Sequence, residues 1–331
     1  MNKKIFIYLT FIGLIGLLFS CEKEGTKAVL SDNPTVQALV TVPDLTLKRT
    51  SGTNILEFVG SPIDPGFQAS VTYYLEAATK GTNFADPVLI LSDKQDLSMK
   101  ISVSDLNGIF LKKFPADQVT SLELRLRSSL SVSSGTAAFV YNSVTKSADA
   151  TVYGLPRLDL VGSGITQKIE SPLGDGSYTN YVKLDATKAF TLKDPDANIV
   201  YGGKSNVLSV NGASLAVTAN GWYKVSANTK ALTYKIESYM IGLIGDATPN
   251  GWNSPDQKMD YNAATGTWSI RITLIDGTFK FRLNDDWGWN LGGTTDNLTQ
   301  GGANCNVTAG TYTITLTIIN GTTGTYTIVK G

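Results

Sequence analysis

From about residue 36 to the C terminus, apolar and polar residues alternate in short runs. In "GTYTITLTIINGTTGTYTIVK", Tyr312, Ile314, Leu316 and Ile318 fall on one face and Thr311, Thr313, Thr315 and Thr317 on the other, the period of a half-buried antiparallel strand. Asn320-Gly321 turns the chain, and Tyr326 and Ile328 begin the returning strand of a hairpin. "TWSIRITLIDGTFKFRLN" has the same design. Trp268, Ile270, Ile272 and Leu274 point inward, Asp276-Gly277 makes the turn, and Phe279, Phe281 and Leu283 point inward again. Lys280, Arg282 and Asn284 are thereby assigned to the solvent face. Such strands, with few helical stripes among them, predict an all-β chain of three tandem β-sandwiches of immunoglobulin or fibronectin type. The helix-like piece is "VSDLNGIFLKKF", with Asp105 as its expected cap.

The pattern also repeats. "LIGD" (243–246), Trp268, Phe279, "LGG" (291–293), "VTAGTY" (307–312) and Tyr326 follow one another in the last segment. "LVGS" (160–163), Tyr178, Phe190, "YGG" (201–203), "VTANGWY" (217–223) and Tyr234 do so in the one before. Fourteen residues separate Gly203 from Val217, and fourteen separate Gly293 from Val307. Two copies of one domain are expected, at 157–237 and 239–331, after a different first domain at 36–153 and a linker ending at Pro156.

Composition narrows the setting. The chain has 331 residues, 42% of them apolar and 17% charged, which is ordinary globular protein. Lys plus Arg equals Asp plus Glu at 28 each, and no basic run exists, so nucleic acid finds no partner surface. There is no histidine, which removes Ser-His and Cys-His dyads and His-ligated zinc. Glycosidases need only two carboxylates, but the acids here sit mostly in turns, as in Asp194-Pro195 and Asp276-Gly277, and no catalytic residues are expected. Neither a cofactor nor a metal is expected. Asp285 and Asp286, with Asn284 and Asn290, lack the regular spacing of a calcium loop.

The N terminus reads as a signal peptide over residues 1–20: Lys3 and Lys4, then an apolar run too short to span a bilayer. "LFSC" resembles a bacterial lipobox, which implies cleavage before Cys21 and its lipidation, with acyl chains holding the chain at a membrane. Residues 21–35 then form a tether. The other cysteine, Cys305, is expected as a small buried hydrophobe.

Two tryptophans, Trp287 and Trp289, lie in the polar stretch "FKFRLNDDWGWNLGG", and Trp252 in the turn "TPNGWN". Indoles displayed on turns suit the apolar C–H face of a sugar ring, and neighbouring donors and acceptors suit its hydroxyl rim. That reading requires Trp252 and Trp287 to share one exposed surface. Trp268 is expected in the core, Trp289 either as a plug at the sandwich rim or as part of the platform, and Trp222 at a secondary contact or a domain interface.

These residues resemble the SusE/SusF surface glycan-binding lipoproteins of Bacteroidetes-type polysaccharide uptake systems. "YYLEAATKGTNFADPVLI", "ISVSDLNGIFLKKF" and "LELRLRSSL" are similar to the N-terminal SusE domain, and "IGLIGDATPNGWN", "FKFRLNDDWGWNLGG" and "VTAGTYTITL" to the C-terminal carbohydrate-binding module. The resemblance implies a non-catalytic lipoprotein, anchored in the outer membrane and facing the exterior. It would bind starch-like or another polysaccharide beside a SusC/SusD-like transporter. The ligand residues implied are Trp252, Lys280 or Arg282, and Trp287, with Asn284 and Trp289 beside them. The middle copy, with Thr191 in place of Lys280, is expected to lack the site. The alternative is a structural array that docks to the transporter without binding sugar.

Overall fold

Alternation becomes sheet throughout the described residues, which in this computed structural model are 34–67, 70–131 and 139–331. The expected signal peptide, Cys21 and nearly all of the tether lie outside them; Thr35 already pairs with Asp64. The chain divides into two compact units between Gly154 and Leu155.

The first unit holds β1 (Ala38–Thr41), β2 (Leu45–Thr46), β3 (Ile55–Ser61), β4 (Ser70–Thr79), β5 (Val88–Lys94), β6 (Ser98–Ser102), α1 (Val103–Phe110), β7 (Val119–Ser131), β8 (Phe139–Asn142) and β9 (Lys146–Thr151). One sheet runs β1-β3-β6 and the other β2-β9-β7-β4-β5, with β8 also on β7. Phe58 and Met99 from the first sheet, Leu75 and Leu124 from the second, and Leu106 and Phe110 from α1 share one core. The helix is capped by Ser102, whose Oγ accepts from the Asp105 N–H at 3.1 Å, and not by Asp105 as expected. Asp105 occupies the third helical position, and its carboxylate accepts from the Ser102 hydroxyl at 2.6 Å.

The second unit contains the repeat. Its first part is β10 (Arg157–Val161), β11 (Lys168–Glu170), β12 (Ser177–Leu184), β13 (Thr191–Asp194), β14 (Ile199–Lys204), β15 (Val207–Val210), β16 (Gly221–Asn228) and β17 (Thr233–Ser238). They close into a barrel in the order β11-β10-β13-β14-β15-β17-β16-β12. The second part is β18 (Ile241–Ile244), β19 (Gln257–Lys258), β20 (Asp260–Asn262), β21 (Thr267–Leu274), β22 (Gly277–Leu283), β23 (Asp286–Thr294), β24 (Asn297–Gln300), β25 (Cys305–Val307), β26 (Gly310–Ile318) and β27 (Thr323–Lys330). Its order, β19-β18-β22-β23-β24-β27-β26-β21-β20, is that of the barrel strand for strand. The single strand β11, which closes the barrel, is replaced by β19 and β20, one on each edge and separated by Met259 alone.

Backbone contacts recur with the topology. Phe190 bridges Leu215 as Phe279 pairs with Cys305. A Cβ on Gly202 would stand 2.3 Å from the Ala213 oxygen, and one on Gly292 would stand 2.2 Å from that of Ala303, so only glycine lets the strand pass there. Tyr223 donates its hydroxyl to the Ala219 carbonyl and Tyr312 to that of Thr308, each four residues back. Phe279, Phe281, Leu291, Ile314 and Leu316 are fully buried in the second core, with Cys305 among them, as expected.

Candidate functional site

The answer to how two indoles come to lie in a polar stretch is a bulge. Along β22 and β23, Phe281 pairs with Leu291 and Arg282 with Asn290, but the next residue, Leu283, pairs with Asp286. One step on β22 therefore matches four on β23, and the three surplus residues are Trp287, Gly288 and Trp289. The hairpin end is tight: Asn284 and Asp285 are both left-handed, with φ of 54° and 60°, the pattern of a two-residue type I′ turn. The bulge consequently sits one residue pair inside the turn, where it throws side chains off the sheet. The equivalent barrel hairpin pairs Leu192, Lys193 and Asp194 with Tyr201, Val200 and Ile199 without interruption.

Trp252 comes from the loop between β18 and β19. That loop is wound on itself by bonds from the Gly245 N–H to the Gly251 oxygen (3.0 Å), from the Gly251 N–H to the Thr248 oxygen (3.0 Å), and from Asn250 Nδ2 to the Pro255 oxygen (2.8 Å). The Trp252 ring is brought to 6.0 Å from that of Trp287, with planes 33° apart, and the two residues remain 39% and 47% exposed. They share one surface.

Arg282 lies beneath it. Its guanidinium is 4.7 Å from the Trp287 ring centre, yet Arg282 is only 3% exposed. Assigning it to the solvent face was therefore wrong in one respect: it points away from the core, but the Trp252 loop and the bulge fold over that face and cover it. A buried guanidinium needs a carboxylate. Asp256, itself buried, supplies one: Nε donates to Oδ2 at 3.0 Å and Nη2 to Oδ1 at 2.6 Å, with Ser254 Oγ accepting a further bond at 2.8 Å. The bidentate pair ties the Trp252 loop to the strand that adjoins Trp287. Asp285 accepts from the Asp256 N–H at 2.7 Å and from the Lys258 ammonium. Burial pushes the Asp285 carboxyl up, but these donors outweigh it and hold it below the usual carboxylate range.

The other expected residues are differently employed. Lys280 is half-buried and donates to Asn290 Oδ1 at 2.9 Å, while Asn290 Nδ2 holds the Trp287 carbonyl at 3.1 Å. Lys280 thus steadies the bulge. Asn284, half-buried rather than on an open solvent face, spends its amide on the Ser238–Met240 connector: Oδ1 accepts from the Met240 N–H at 2.8 Å and Nδ2 donates to the Ser238 oxygen at 2.8 Å. Trp289 packs on the core and donates Nε1 to the Gly321 carbonyl at 2.6 Å, which makes it the rim plug of the two alternatives. The structure brings Trp252, Trp287 and Arg282 together, and leaves Asn284 and Trp289 in supporting roles. Sequence reasoning missed Ser254, Asp256 and Lys258. The signal available was slight: Arg282 stands between Phe281 and Leu283, and that alternation sends it away from the core without naming an acid to meet it. A shallow apolar groove lined by Asn306, Val307, Thr308, Tyr312 and Ile328 opens near the other end of β22 and holds none of these residues.

Trp222 lies at an interface within the second unit. Its ring meets Tyr261 at 5.9 Å and Trp268 at 5.6 Å, and Nε1 donates to Asp260 Oδ1 at 3.0 Å. Trp268 is buried, as expected, with barrel residues Tyr181 and Trp222 supplying part of its cover.

Comparison with known proteins bears on the first unit. Residues 23–127 match the family described as SusE outer membrane protein. Over that segment, less than half of the chain, the protein is similar to the SusE family. The crystal structure of SusF from Bacteroides thetaiotaomicron aligns over 90% of this chain and 77% of its own at 16% identity, with a TM-score of 0.28, too low to bear on the site. No curated protein matches. The matched segment ends within β7, so the Trp252–Trp287 surface lies wholly outside it.

Proposed function

We propose that the chain is a non-catalytic glycan-binding lipoprotein of the outer membrane, held by acyl groups on Cys21 and facing the exterior. It captures starch-like or another polysaccharide for an uptake system with a SusC/SusD-like transporter. The observation that carries this reading is the Trp252–Trp287 pair, exposed on one surface and braced from below by a buried ion pair. Stacking uses the indole faces, which meet the C–H face of a sugar ring. Preorganisation reduces the entropy lost when the ligand docks. The SusE-like segment supports the outer-membrane setting. A shallow site of this kind binds weakly, and dense display on a membrane compensates through avidity.

Affinity electrophoresis of the soluble chain in native gels containing a panel of neutral polysaccharides tests the reading. Retention is expected in at least one gel and is lost in Trp252→Ala and in Trp287→Ala. Unchanged mobility of the native chain in every gel would instead favour an array that docks to a transporter and binds no sugar.

A further inference from the structure

The barrel lacks the bulge and any counterpart of Trp252 or Trp287, yet it touches the segment on which the site is built. Residues Asp256 to Tyr261 run from one to the other. Asp256 holds Arg282, and Lys258 holds Asp285. Met259 is buried in the core, and its N–H donates to the Ile241 carbonyl at 2.8 Å. Asp260 and Tyr261 then face the barrel. Lys183 donates to Asp260 Oδ1 at 2.6 Å, and Trp222 Nε1 reaches the same oxygen at 3.0 Å. Lys183 and Trp222 are register partners on β12 and β16, so they project from the same barrel face. Tyr181, two residues before Lys183 and thus on that face too, meets the Tyr261 ring at 5.0 Å.

By the period of two, Asp256, Lys258 and Asp260 take one side of this extended piece, and four residues of it cover only about 13 Å. In the barrel the equivalent β11 stays in one piece, paired by three residues with β10 and by one with β12. Here the segment is split, with β19 pairing by two residues on one edge and β20 by three on the other. Short ladders of this kind open locally at low cost. A second anchor at its far end restricts that opening, and with it the motion of Asp256.

Resting on the glycan reading above, we propose that Lys183 and Trp222 are positioning residues for the Trp252–Trp287 surface, acting through the Asp256–Tyr261 segment. The middle copy is then a buttress that keeps the binding copy in its binding-competent form.

The test uses the whole soluble chain with Trp222→Phe, Lys183→Met and the double variant, none of which alters a residue of the Trp252 surface. Phenylalanine keeps one aromatic ring at the contact and removes the N–H donor together with part of the ring area. Hydrogen exchange without ligand is followed at residues 250–258, with the β26–β27 hairpin as reference for global destabilisation, and retention is measured in the polysaccharide gels. The double variant is expected to exchange faster at 250–258 with the reference unchanged, and to bind roughly three- to thirtyfold more weakly. Unchanged exchange at 250–258, or full retention of the double variant in a gel that Trp252→Ala no longer recognises, overturns the proposal. If the native chain is retained by no polysaccharide, the glycan reading fails by itself, and the exchange result still decides the positioning claim.

Discussion

Arg282 and Trp252 sit within one small surface but answer to different forces. Arg282 is buried against Asp256, and taking either partner from a buried pair strands the other charge at about 3–5 kcal/mol. Trp252 keeps 39% of its surface in water, so truncating it costs about 1 kcal/mol. In urea unfolding of the intact chain, Asp256→Ala is expected to be clearly less stable than native, whereas Trp252→Ala stays close to it. Equal destabilisation by the two would mean that the Arg282–Asp256 pair is not the brace it is taken to be. Arg282→Lys belongs with Asp256→Ala, because an ammonium cannot reproduce the two parallel bonds to the carboxylate. The strand pattern correctly sent Arg282 away from the core. Its cover was invisible there, since the acid that holds it is 26 residues distant and reaches it only through the folded loop.

The β22–β23 hairpin shows what one element adds. Its bulge of three residues is the local difference between this copy and the uninterrupted hairpin of the barrel. Deleting Trp287, Gly288 and Trp289 together joins Asp286 directly to Asn290, with Leu283 still opposite Asp286 and Arg282 still opposite Asn290, so pairing becomes continuous. Such a variant is expected to fold with its strand content intact, as read by far-ultraviolet circular dichroism, and to lose retention in every polysaccharide gel. It also loses the Trp289 bond to Gly321, so its melting temperature falls. Retention equal to native would remove the bulge from the site. Strands with strict alternation, such as Tyr312 to Ile318, were legible in the sequence because one face had to be buried. The repeat was legible for a related reason: Gly202 and Gly292 mark places where the opposite backbone leaves no room for a side chain. The bulge was not legible, because Asp-Trp-Gly-Trp-Asn carries no period and reads as an ordinary loop. Pairing across the hairpin, not local propensity, decided where its tryptophans went.

At the scale of the whole second unit, the barrel and the second copy are joined by aromatic rings around the Lys183–Asp260 contact. Trp222, Tyr181, Tyr239, Tyr261 and Trp268 supply the apolar part, and burial pushes the Tyr181 and Tyr261 hydroxyls up, so these phenols stay neutral at ordinary pH. Asp260 is the member that titrates on the acid side. The Lys183 ammonium, assisted by the Trp222 N–H and opposed by partial burial, holds its carboxyl below the ordinary value of 3.8. A carboxylate depressed in the folded state contributes stability that is complete above its unfolded value and fades as pH falls through the folded one. The joint should therefore be whole at neutral pH and loosen below about pH 4. Asp44, Asp175, Asp185, Asp246 and Asp285 are depressed as well, so acid weakens the native chain at several places and the overall melting curve does not isolate this one. A comparison does. The difference in melting temperature between the native chain and Asp260→Asn is expected to be positive at about pH 6 and to shrink progressively as the pH falls below about 4 and the native carboxyl takes up its proton. Added salt shrinks the same difference at the higher pH, since Lys183 and Asp260 are both open to solvent and screened. A difference that stays constant across that range would assign the joint to the rings alone and leave the Lys183 contact without energetic weight.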